Sequence, residues 1–152
     1  MTHSPPKDLL RWPHDAMLAV LARADVDRLR TFAEPLIAQL PVIEVLENRT
    51  GLVMLPMRDT AQGTHFHLGE ILMSEARITA GGRIGYGMRR GRDLEAAMAM
   101  AVVDLAVACG VACGVAHAAS AHFLDSEARA QAQSDHATLC RVEATRVDME
   151  TF

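Results

Sequence analysis

The sequence predicts an α+β fold: two N-terminal helices, a four-stranded antiparallel meander and two C-terminal helices. A double change of hydrophobic period carries the prediction. Apolar residues recur at three and four positions up to about Pro41, run through β-branched segments between 42 and 90, and return to helical spacing after Asp93. The 152 residues suit one domain with one core, preceded by a flexible N-terminus over residues 1–12.

Each element has its own signal. Pro13 precedes "HDAMLAVLARA" (14–24), which places Met17, Val20, Leu21 and Ala24 on one helical face. Asp25 caps a second helix with Val26, Leu29, Ala33, Leu36, Ile37 and Leu40 at helical spacing, and Pro35 predicts a kink or break inside it. Residues 42–57, "VIEVLENRTGLVMLPM", read as two strands joined by a turn at "ENRTG", with Gly51 at positive φ. A loop at 58–63 leads to a third strand over 64–79. "AGG" at 80–82 then makes a tight turn into a fourth, "RIGYGMRR". Asp93 opens "LEAAMAMAVVDLAVAC", apolar on most sides and therefore packed on the sheet. The last helix is predicted from Asp125 or Ser126 to about Arg141. Its apolar face is thin (Ala128, Ala132, Leu139, Val142), so residues 125–152 should be poorly anchored. Val147, Met149 and Phe152 make the end, 143–152, a candidate partner-docking tail.

Half the residues are apolar and 22% are charged, which excludes a disordered chain. A net charge of −4 gives no bias toward nucleic acid. The first residues lack the basic and apolar regions of a signal peptide. The small and apolar stretch 96–116 contains Asp104, which would cost about 2.5–3.5 kcal/mol at a bilayer centre, so a buried helix is the better reading. Cys109, Cys113 and Cys140 have no framework spacing and read as reduced thiols. A cytoplasmic protein outside the membrane is expected.

Among possible sites, "GRIGYGMRRGRD" (82–93) is the most conspicuous. Gly85, Gly87 and Gly91 miss the dinucleotide fingerprint by one residue and lack its βαβ setting, and no P-loop pattern is present. Arg77, Arg83, Arg89, Arg90 and Arg92 fall in a stretch without an acid. Strand alternation puts Arg83 and Arg89 on one face and Arg90 on the other. With Tyr86, the set Arg77, Arg83, Arg89 and Arg92 forms a candidate contact for phosphate or for a partner, against the plainer alternative of a solvated basic face. Arg83, Arg89 and Arg92 are expected to face outward, and Gly85 and Gly87 to let a backbone come close to the strand. His65 and His67 share a side of a strand but lack a third ligand at metal-site spacing. Neither a local nucleophile motif nor a carboxylate pair stands out, so no catalytic residue is assigned and no metal or cofactor is expected on this chain.

Thr50-Gly51-Leu52-Val53, Leu68-Gly69-Glu70, Gly85-Tyr86-Gly87 with Gly91 and Asp93, the Ala-rich helix containing Asp104, and Thr145-Arg146-Val147-Asp148 together resemble the PhnG family. The likeness covers about residues 14–152. It implies a subunit of the bacterial carbon–phosphorus lyase core complex. With companion subunits, such a chain would be needed to displace adenine from ATP by an alkylphosphonate, giving α-D-ribose 1-methylphosphonate 5-triphosphate from methylphosphonate. ATP and the alkylphosphonate would be substrates of the complex, and a nucleosidase-like subunit would be the main partner. Isolated, the chain could self-associate. The alternative is a stand-alone protein that holds a phosphorylated ligand on Arg77–Arg92.

Overall fold

The computed structural model describes residues 12–110 and 115–146. Seven elements follow one another: α1 (His14–Arg23), α2 (Val26–Ile37), β1 (Glu44–Arg58), β2 (His65–Ala80), β3 (Arg83–Arg90), α3 (Leu94–Ala108) and α4 (Val115–Ala144). The architecture is α+β, but the sheet has three strands in the order β1-β2-β3, all antiparallel, rather than four.

The correction lies at "ENRTG". No turn forms there, and Gly51 is not among the glycines at positive φ. Residues 44–58 make one strand, because the polar insert pairs across to β2 as well as the apolar flanks do. Glu47 lies opposite Arg77, Arg49 opposite Glu75, and Gly51 opposite Met73. The charged residues form cross-strand ion pairs, Glu47–Arg77 at 3.3 Å and Arg49–Glu75 at 3.1 Å, so polarity that resembles a turn is a charged rung of the ladder. The two turns that do exist are built as such. Asp59 accepts hydrogen bonds from the amides of Ala61 and Gln62, and Gly81 and Gly82 (φ 56° and 74°) join β2 to β3.

The helices lie on one face of the sheet. Ser74, Ala76, Ile78 and Ala80 of β2 and Gly85, Gly87 and Arg89 of β3 turn toward them and are buried. Helix α3 follows the expected pattern, with ten buried residues from Ala96 to Ala106. It packs closely on β3 because Gly85 and Gly87 have no side chain. A Cβ at either would run into the backbone carbonyl of Ala101 or Ala97. The close-packed backbone is thus the chain's own helix.

Asp25 caps α2 by accepting the Arg28 amide. The helix continues through Pro35 and stops two residues later at Ile37. Helix α4 begins at Val115, ten residues before the predicted start. Phe123 and Leu124 join the core, and the Phe123 ring stacks on Phe32 at 4.4 Å. Anchoring also reaches further than expected. Asp125 accepts the Trp12 indole N–H, Glu127 accepts the Asp25 amide and pairs with Arg28, and Gln131 donates to the Val20 carbonyl. From residue 132 to 146 every position is exposed. Val147, Met149 and Phe152 lie outside the described residues.

Candidate functional site

The arginine-rich stretch does not converge. Arg77 stands on the sheet face away from the helices, ion-paired with Glu47, and lies directly opposite Tyr86 on β3. Tyr86 donates to Glu75 at 3.3 Å, and burial, then Glu75, raise its hydroxyl above the ordinary phenol range. Arg83 is exposed at the start of β3, about 20 Å along the strand from Arg89. Arg92 is exposed beyond the end of the strand.

Arg89 corrects the expectation of an outward side chain. It is 7% exposed, and its guanidinium donates to the carbonyls of Leu21 and, at 2.6 Å, Ala24. Strand alternation does place it on the face opposite Arg90, but that face is the covered one. The cation therefore satisfies the end of α1. Burial lowers its pKa, opposed by Asp93, Asp25 and Glu127.

The N-terminus of α3 is filled from within the chain. Asp93 accepts the Ala96 amide at 2.9 Å and one guanidinium nitrogen of Arg30 on both oxygens. That amide, then Arg30, holds the Asp93 carboxyl below the usual range against desolvation. Among the described residues, no group of three His, Cys, Asp or Glu is arranged for a metal ion. His65 and His67 are exposed near the end of the β1–β2 hairpin, opposite Arg58 and Pro56. Cys109 ends α3 and Gly110 follows at φ 66°, Cys140 is exposed on α4, and Cys113 is outside the described residues.

Two buried acids had no motif to announce them. Asp104 receives the Tyr86 amide at 2.9 Å and meets the His14 imidazole at 2.7 Å, joining α3 to β3 and to the start of α1. Glu127 joins α4 to the α1–α2 junction. Both are committed to holding elements together.

The unsatisfied surface is elsewhere. β3 stops opposite Met73, so Leu52–Arg58 and His65–Leu72 continue as a two-stranded arm, about 23 Å long. Leu52 is 63% exposed, Leu68 60%, Met54 53% and Phe66 45%. Alternation puts Val53, Leu55 and Ile71 on one face of the arm, and Leu52, Met54 and Leu72 on the other. Both faces are largely apolar, with Glu70 opposite Met54 and with Arg58, His65 and His67 at the tip. The one sequence signal was the unbroken apolar run at 52–57, which is written for burial on both sides.

No helix among the described residues is long and apolar enough to cross a membrane. No curated protein matches the chain. The family model described as phosphonate metabolism protein PhnG matches residues 13–152, nearly the whole chain. The chain therefore belongs to the PhnG family of phosphonate metabolism proteins.

Proposed function

We propose that this chain is a non-catalytic subunit of the carbon–phosphorus lyase core complex and joins its companions through the β1–β2 arm. With the nucleosidase-like subunit it serves the transfer of the ribose triphosphate of ATP to an alkylphosphonate, with release of adenine. Family membership supports the role in phosphonate metabolism. The arm is the observation that carries the docking role. A two-stranded ribbon is marginal in water by itself, and one with apolar residues on both faces is suited to burial in another protein. Arg89, Asp93 and Asp104 are already engaged within the body: Arg89 on α1, Asp93 with Arg30, Asp104 with Tyr86 and His14.

The test is reconstitution of the complex with Leu52→Asp/Leu68→Asp in place of the natural chain. Assembly with the nucleosidase-like subunit should be lost, and methylphosphonate-dependent adenine release should fall with it. Full release by the companions without this chain would overturn the proposal.

A further inference from the structure

Gly51 occupies the middle of β1 in an extended conformation, where glycine weakens a strand. Three structural causes usually place it there: a bulge, a positive φ, or a backbone that must come close. The register shifts fall at Val45/Glu47 and Leu55/Pro56, away from Gly51, and its φ is not positive. No atom of the chain lies within 4 Å of where its Cβ would be. Gly85 and Gly87, by contrast, are accounted for by α3. Gly69, also open, adjoins the extra residue Leu68 in the second of those shifts.

Above Gly51 is a cavity of about 280 Å³ on the sheet face turned away from the helices. Val53, Met73 and Met88 supply its apolar walls, with Arg49 and Glu75 to one side. Arg49 and Glu75 bond each other, and Glu75 also accepts from Tyr86, so the polar rim is self-satisfied and asks for no polar ligand. Arg90, the cross-strand neighbour of Met73, is exposed, and no carboxylate among the described residues pairs with it.

We propose that Gly51 is the floor of a notch that receives one apolar side chain, of leucine or methionine size, from a companion subunit, with a carboxylate of that subunit reaching Arg90. The inference rests on the subunit reading above and names the point at which the companion comes closest.

The test is Gly51→Val, with Val53→Arg on the rim as a second variant should valine misfold. Each isolated variant is followed by its thermal melt, and each is titrated against the nucleosidase-like subunit. Gly51→Val should melt at or above the natural chain, since valine suits a strand and meets nothing at this position. Val53→Arg should melt near it. Both should bind at least tenfold more weakly. A folded variant that binds like the natural chain overturns the notch alone. A natural chain that does not bind the companion overturns the subunit reading, and the notch with it.

Discussion

Arg89 and Arg90 are adjacent in the chain and opposite in circumstance. Arg89 is enclosed and donates to two carbonyls at the end of α1, whereas Arg90 stands in solvent. Arg89→Met would leave the Ala24 carbonyl short of a donor in a dry setting, at roughly 1–3 kcal/mol, while the Leu21 carbonyl keeps the Ala24 amide. Arg90→Met should stay within about 0.5 kcal/mol of the natural chain. Urea unfolding of the two variants measures the difference, and equal midpoints would contradict the buried role. The same pair shows what the residue pattern could tell. Alternation separated the two side chains correctly, but charge alone suggested that both faces met water. Which face the helices cover is decided by Gly85 and Gly87, whose lack of side chains draws α3 onto β3.

Where an element declares its ends, the sequence was legible. Asp25 and Asp93 mark the starts of α2 and α3, and both accept the amide three residues on. Helix α4 has no such marker, so its first turns within an Ala- and His-rich run were missed. The merged strand failed for a related reason. Glu47 and Arg49 look like turn residues until Arg77 and Glu75 stand opposite them. The Asp93 cap also fixes a pH response. Its folded pKa lies below the unfolded value of about 3.9, so its contribution is present above that value and is lost as pH falls through the folded one. Asp93→Asn keeps a capping oxygen and cannot titrate, so it should flatten part of the acid limb of the stability curve. Asp59 and Asp135, lowered by turn amides and by Arg23 respectively, would continue to titrate. At neutral pH Asp93→Ala should cost about 1 kcal/mol. Denaturant melts between pH 2 and 7 check both, and an unchanged acid limb in Asp93→Asn would remove the cap from the account.

At the scale of the whole molecule, a small body carries two projections, the β1–β2 arm and the exposed second half of α4. The candidate site was legible only in part because its constituents are distant from one another along the chain. Leu52 and Leu72 become neighbours only through a hairpin whose first strand the sequence seemed to divide. Exposed apolar faces on an arm predict concentration-dependent association of the isolated chain. Sedimentation velocity over a hundredfold concentration range should show larger species that Leu52→Lys/Leu68→Lys suppresses. A natural chain that stays monomeric throughout would count against the arm as an adhesive surface.

The outer edge of β1 has a consequence for how the cell must make this protein. Fifteen residues of strand lie along the border of the sheet, and no strand among the described residues pairs with their outer side. Such an edge accepts other strands unless something interrupts it; the extra residue Leu46 and the charges of Glu44, Glu47 and Arg49 break its first half, which leaves Gly51–Leu55, ahead of Pro56, as the open stretch. A copy in which this stretch stays uncovered is therefore the hazardous form. On the proposed subunit reading, synthesis matched to that of the companions is expected, and recombinant production of the chain by itself should favour inclusion bodies.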